Sequence, residues 1–259
     1  MSDGGGGPLP PQAVAPQAVV DCYRLDLSHC DAHDLALLDD SERARAARFR
    51  FERDRVRFVA AHAQARRLLG RHLGLDPAGL RLATTAHGKP ILALTAGAPG
   101  GGQAGEGAVA FNLTHSGPVG YLAVAACSVG IDLEQQRPFD DLQSLIDNYC
   151  SPAEIAALAG LPPASRAAGF LNVWTRKEAA LKAWGTGIGA VPLDALHVGL
   201  LPSGAVPEQE SLPGLVHDGT AYPDLRLLTM ARGQEVLSIA AACGAPLAVR
   251  MAGESATQR

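Results

Sequence analysis

FLNVWTRKEAALKAWGTGIG, from Phe170 to Gly189, carries Trp174, Lys177, Glu178 and Lys182 just before three closely spaced glycines. The spacing predicts a helix over 164–184, with Phe170, Val173, Leu181 and Trp184 as an apolar stripe buried against a sheet. Trp174, Glu178 and Lys182 stand four residues apart along the neighbouring edge, so the last two can reach a cleft while their helix stays anchored. Gly185, Gly187 and Gly189 permit a helix stop and close approach of backbone to a ligand. Of the 22 basic residues only three are lysines, and two of those lie in this stretch; the third is Lys89, in HGKP. A lysine supplies a compact point charge that the flat guanidinium does not imitate. Taken alone, the stretch is equally an ordinary amphipathic helix with a Glu178/Lys182 pair.

A second motif lies about 40 residues upstream. GIDLE, Gly130 to Glu134, follows the apolar run VGYLAVAACSV and reads as the end of a buried strand. Side chains at i and i+2 of a strand share a face, so Asp132 and Glu134 stand side by side while Ile131 and Leu133 point into the core. Two such carboxylates repel each other. A hard divalent cation such as magnesium removes the conflict, because it takes oxygen ligands and keeps waters and substrate phosphates in its shell. Solvated acids at a strand edge are the plainer alternative for an isolated D-x-E.

A chain of 259 residues with 47% hydrophobic content buries a sizeable core, as one large domain or two smaller ones. The formal charge of -4 hides a local imbalance: residues 43–71 hold ten arginines against Glu52 and Asp54, a surplus of +8. One surface is therefore expected to attract anions. No apolar run approaches the ~20 residues that span a bilayer, and the glycine- and proline-rich start lacks the pattern of a signal peptide, so a cytoplasmic location is expected. Five scattered cysteines without a C-x-x-C pair argue against a zinc site or a disulfide framework.

Along the chain, residues 1–17 read as a flexible tail, and Val19 to Leu27 as a strand. Helical sequence follows from Asp39 to Gly74, with Asp39 as N-cap and Glu42 three residues on. Strands are expected over Leu80–Thr84 and Ala108–Asn112, separated by a mobile glycine-rich loop from Gly97 to Gly107. Helices then follow at Leu142–Tyr149 and Pro152–Ala159, and later strands at Leu193–Leu201, Ala221–Ala231 and Glu235–Cys243. Periodicity by itself supports a mixed α/β chain.

GIDLE and W-T-R-K-E-A-x-x-K are joined by FNLTHSG, Phe111 to Gly117, and by Gly88-Lys89-Pro90. In this order the four motifs resemble those of the 4'-phosphopantetheinyl transferases of the long, surfactin-synthetase type. The resemblance carries motifs over residues 40–190. It implies an α+β fold, a pseudodimer of two similar α+β halves with the active site between them, here 18–125 and 126–250, with a tail at 251–259. It also implies an enzyme, a magnesium- or manganese-dependent holo-[acyl-carrier-protein] synthase. Such an enzyme moves the 4'-phosphopantetheine group of coenzyme A to a serine of an apo acyl or peptidyl carrier protein and releases adenosine 3',5'-bisphosphate. Secondary metabolism, through nonribosomal peptide or polyketide synthesis, is the implied setting; the carrier itself is not named by any motif. A monomer is expected, with neither nucleic acid nor membrane as partner.

Carried over by position, Asp132, Glu134 and Glu178 are the metal ligands. Glu178 or a metal-bound water is the base, and Lys182 offsets or protonates the leaving phosphate. Lys89 and His115 hold the 3'-phosphate and adenosine end. Thr114, where serine is more usual, Lys177, Arg45 and Arg66 complete the expected coenzyme contacts. Two other readings stand beside this one: a noncatalytic coenzyme A or nucleotide binding protein of the same fold, and nucleic-acid binding by the arginine-rich helices. The latter leaves the acids unexplained. Apolar positions in Leu142 to Tyr149 serve either carrier docking or the core.

Overall fold

The computed structural model describes residues 17–93, 109–187, 189–201 and 209–252. The expected loop at 97–107 and almost all of both tails lie outside these residues. The chain runs β1 (Ala18–Asp26), α1 (Ala32–Leu37), α2 (Asp40–Ala46), α3 (Glu52–Leu73), β2 (Leu82–Thr84), β3 (Pro90–Leu92), β4 (Ala110–Ser116), β5 (Val119–Ala125) and β6 (Val129–Gln135). It continues with α4 (Leu142–Tyr149), α5 (Pro152–Ala159), α6 (Arg166–Trp184), β7 (Glu210–Leu212), β8 (Leu215–His217), β9 (Thr220–Tyr222), β10 (Leu225–Arg232), β11 (Glu235–Ala241) and β12 (Leu247–Ala252).

Two four-stranded sheets form the centre, ordered β12-β1-β5-β4 and β6-β11-β10-β7. Alternation along the strands stacks them into four layers. Leu122 and Val124 of β5 meet Ala61, Ala65 and Leu69 of α3, whereas Tyr121 and Ala123 meet Ile131, Leu133, Leu237 and Ile239 of the other sheet. β5 is thus covered on both faces, and every one of its residues is buried. α6 closes the far side against β6 and β11. The α+β plan in two parts, each a long helix on a sheet, is therefore present. The last strand departs from a simple division, since β12 runs parallel to β1 within the first sheet and takes in Met251 and Ala252. No helix among the described residues is long and apolar enough to cross a membrane, and all five cysteines are free thiols.

The expected helical stretch after Asp39 is interrupted. α2 starts on a capping box between Asp39 and Glu42 and ends at Ala46, and α3 begins after Phe51. The Leu193–Leu201 segment forms no strand. Its apolar side chains Leu193, Leu196 and Val198 are buried, but its backbone bonds to side chains instead of a neighbouring strand. Lys177 Nζ donates to the Leu193 carbonyl at 2.6 Å, Arg176 Nε donates to that of Val198 at 3.0 Å, and the Val198 N–H donates to Glu154 at 2.8 Å. In α4, Ile146 is buried and Leu142, Leu145 and Tyr149 pack on the core around α6, so that face is core.

Glu42 anchors α2 to α3. It accepts hydrogen bonds from His62 Nδ1 at 2.7 Å and Arg66 Nε at 2.8 Å. Burial alone would raise its carboxyl, yet the bonds from His62, Arg66 and the Asp39 backbone bring it down to about 2. A lowered carboxyl stabilises the fold above its unfolded value of 4.5 and loses that stabilisation as the pH falls toward about 2. Glu42→Gln is expected to cost about 2 kcal/mol near neutral pH, because the buried Arg66 keeps Asp39 but loses the other of its two carboxylate partners. Urea titrations of both proteins across that acid range provide the check: stability should fall less steeply with acid in the variant, and parallel curves would discount the Glu42 contribution.

Candidate active site

α6 lies unusually close to β6, and the glycine of GIDLE is the reason. A Cβ on Gly130 would come within 2.1 Å of the Ala179 carbonyl oxygen and 2.4 Å of the Ala183 nitrogen. With no side chain there, the helix backbone rests on the strand. Asp132 and Glu134 share the face of Gly130, and Glu178 and Lys182 descend toward them from α6. The two motifs thus converge across one helix–strand contact.

The Lys182 ammonium donates to Asp132 Oδ1 at 2.5 Å and to the Ile131 carbonyl at 3.3 Å. Asp132 is only 6% exposed, and its other oxygen, Oδ2, is buried without a hydrogen-bond partner; so is Glu178 Oε1. Glu134, half-buried, accepts from Ser116 Oγ at 3.2 Å. Burial raises the pKa of all three carboxyls. The Lys182 charge opposes this at all three, whereas Asp132 adds to the rise at both Glu134 and Glu178. Three acids with so few donors are short of positive charge. As they stand, no three Asp, Glu, His or Cys side chains among the described residues converge closely enough to hold an ion. Lys182 takes the place of a counter-ion at Asp132. The donor set itself, carboxylate oxygens of which two are bare and buried, suits a hard cation.

Above this cluster lies a basic rim. His115 projects from β4 on the side opposite Thr114, and its pKa is lowered by burial, then by the charges of Arg57 on α3 and Lys182 on α6. Two cations, Arg57 of α3 and Lys182 of α6, thus act on a histidine held toward its neutral form, while Asp54, 3.7 Å from Arg57, offsets part of their charge. Arg57 is absent from the sequence-derived set, since the arginine surplus marks a region and not a position. Arg45, which is in that set, is exposed on α2 with its guanidinium over the Phe58 ring at 5.1 Å from the centroid.

Four expected ligand contacts are spent elsewhere. Arg66 is fully buried and binds Asp39, Glu42 and the carbonyls of Pro77 and Leu80, so no part of its fork faces a ligand. Lys177 is likewise buried, 2.6 Å from Glu154 Oε2, and bonded to the Leu193 carbonyl. The Lys89 ammonium points inward, donating to the carbonyls of Lys182 at 2.7 Å and Val129 at 3.0 Å. Burial, followed by the charge of Lys182, lowers its pKa to about 8. A cation on the last carbonyls of α6 also suits the negative end of that helix. Thr114 is buried and bonds to Asp132 and β6, not toward the rim.

Two family models divide the chain. Residues 29–128 match the 4'-phosphopantetheinyl transferase N-terminal model and residues 128–222 match that of the 4'-phosphopantetheinyl transferase superfamily, with the junction in the turn between β5 and β6. The chain is 36% identical over 200 residues to the 4'-phosphopantetheinyl transferase HetI of Nostoc sp., covering 76% of this chain and 80% of that one. It is 31% identical over 192 residues to a phosphopantetheinyl transferase of Thraustochytrium sp., with 67% and 64% covered. Against the 4'-phosphopantetheinyl transferase Sfp of Bacillus subtilis it is 25% identical over 172 residues, with 66% and 70% covered.

Proposed function

This chain belongs to the 4'-phosphopantetheinyl transferase superfamily, and on that premise we propose that it transfers the phosphopantetheine group of coenzyme A to a serine of an apo acyl or peptidyl carrier protein. The observation that carries the assignment of the chemistry is the pair of bare, buried oxygens, Asp132 Oδ2 and Glu178 Oε1, beside the Lys182 ammonium. Asp132, Glu134 and Glu178 would hold magnesium or manganese. Such an ion supplies charge neutralisation at the pyrophosphate oxygens, where the transition state concentrates negative charge.

The reaction needs a proton acceptor for the carrier serine, whose hydroxyl is a poor nucleophile at neutral pH. Glu178 fills that role with its unpartnered oxygen, directly or through one water. The serine oxygen bonds to the phosphorus nearer the pantetheine as the bond from that phosphorus to the bridging oxygen breaks. The electron pair leaves with adenosine 3',5'-bisphosphate, and Lys182 offsets the charge that appears there. Arg57 and His115 form the rim that would bind the 3'-phosphate, far from the reacting bond. Incubating the protein with coenzyme A, magnesium and an apo carrier should add one phosphopantetheine to the carrier's mass. A carrier of unchanged mass, with coenzyme A still bound by the protein, would favour the noncatalytic reading.

The inward turn of Lys89 changes what its loss should do. Lys89→Ala removes one donor from the Val129 carbonyl and one from the Lys182 carbonyl, which keeps the Gly185 N–H at 3.2 Å, a cost of about 1–3 kcal/mol, and loosens the end of α6 that carries Lys182. Turnover should fall about tenfold with coenzyme A and by the same factor with dephospho-coenzyme A. A loss seen only with the donor bearing a 3'-phosphate would return Lys89 to the phosphate.

A further inference from the structure

β4 and β6 belong to different sheets, yet they lie side by side, and their seam is made by side chains. Three N–H groups of β6 are involved. Ile131 N–H donates to Asn112 Oδ1 at 2.9 Å, Leu133 N–H to Thr114 Oγ1 at 3.3 Å, and Gln135 N–H to Ser116 Oγ at 3.3 Å. An amide oxygen and two hydroxyls thus stand where backbone carbonyls would stand in a continuous sheet. Unlike a carbonyl, a hydroxyl accepts and donates at once. Thr114 Oγ1 donates to Asp132 Oδ1 at 3.2 Å and Ser116 Oγ donates to Glu134 Oε2 at 3.2 Å. Each hydroxyl therefore grips the carboxylate of one β6 residue and the N–H of the next, and the unit repeats with the two-residue period of the strand.

We propose that Thr114 and Ser116 are positioning residues for the acid cluster: each turns one oxygen of its carboxylate into the seam and so sets the direction in which the acid faces a cation. The inference deepens the assignment of Asp132, Glu134 and Glu178 as cation ligands and rests on it. Asp132 displays the consequence most clearly, with Oδ1 taking both Thr114 and Lys182 while Oδ2 has no donor. The arrangement also accounts for the hydroxyl residues in FNLTHS. Threonine and serine satisfy it equally, because only the Oγ is used.

Partners that orient metal-binding side chains typically contribute 10–100-fold in affinity. Binding of Mn2+ to the full chain, followed by its electron paramagnetic resonance signal with coenzyme A present, tests this directly. Thr114→Val keeps the side-chain shape without the hydroxyl and should weaken Mn2+ binding about tenfold or more; Ser116→Ala should weaken it as well. Thr114→Ser should stay within about twofold of the parent. Thermal unfolding of each variant separates misfolding from misdirected ligands, and Ser116→Ala, at the half-buried end of the seam, remains informative if Thr114→Val does not fold. If the parent binds Mn2+ and folded Thr114→Val and Ser116→Ala bind it equally well, the seam is merely structural and the inference fails. If the parent binds no Mn2+, the cation reading falls, and the inference with it.

Discussion

Glu178→Gln is expected to lower carrier modification about a thousandfold while changing the affinity for coenzyme A by less than about threefold. The substitution keeps the shape of the side chain and one oxygen, so α6 should stay in place. It removes the negative charge and the capacity to take a proton. General bases typically contribute 10²–10⁴ in rate, and here the loss of a cation ligand is added to that. Glu178 Oε1 has no hydrogen bond to lose. Single-turnover rates read from the carrier's mass, set beside calorimetric titration of coenzyme A, separate the two effects. If affinity falls as far as the rate, Glu178 binds coenzyme A and moves no proton.

The pairing of Asp132 with Glu134 was legible in the sequence because period-2 alternation fixes faces without any knowledge of the tertiary structure, whereas Glu178 joins them through the family resemblance. Asp132 and Glu134 had to share a side opposite Ile131 and Leu133. α6 was harder to read. It is enclosed on several sides, with Arg176 and Lys177 as completely buried as Ala179 and Leu181, so a charged residue on it need not face a cleft. Arg176 and Lys177 instead satisfy the carbonyls of the 191–201 segment, which is why that segment is no strand. A sequence supplies neither half of such an arrangement alone. Arg66 follows the same logic, since its partners Asp39 and Glu42 lie on another helix. Ser116 and Asn112 are legible as well: with Thr114 they place three polar residues at alternate positions on one strand. Arg57 was beyond reach, because only its tertiary approach to His115 distinguishes it from its arginine neighbours.

Gly130→Ala is expected to lower carrier modification about a hundredfold and to destabilise the fold, although it adds a single methyl to a residue that touches no substrate. The new Cβ would lie 2.1 Å from the Ala179 oxygen, 2.4 Å from the Ala183 nitrogen and 2.9 Å from the Lys182 carbonyl carbon. All three atoms are helix backbone, so no side-chain rotation relieves the overlap. α6 must retreat from β6 by more than 1 Å, since ordinary contact begins at 3.4 Å. Overpacking costs about 1–3 kcal/mol in cores that can adjust, and a helix wedged between β6, β11 and the 191–201 segment has little freedom to do so. The same retreat draws Glu178 and Lys182 away from Asp132. A misplacement of about 1 Å lowers rates by about a hundredfold. Gly160→Ala is the matched control: Gly160 has a helical φ of -70°, and its added Cβ meets nothing nearer than 3.4 Å. Denaturation midpoints and carrier modification should therefore both fall in Gly130→Ala and hold in Gly160→Ala. A Gly130→Ala protein with parental stability and turnover would mean that α6 can ride above the strand, and that the glycine of GIDLE has no part in bringing the two motifs together.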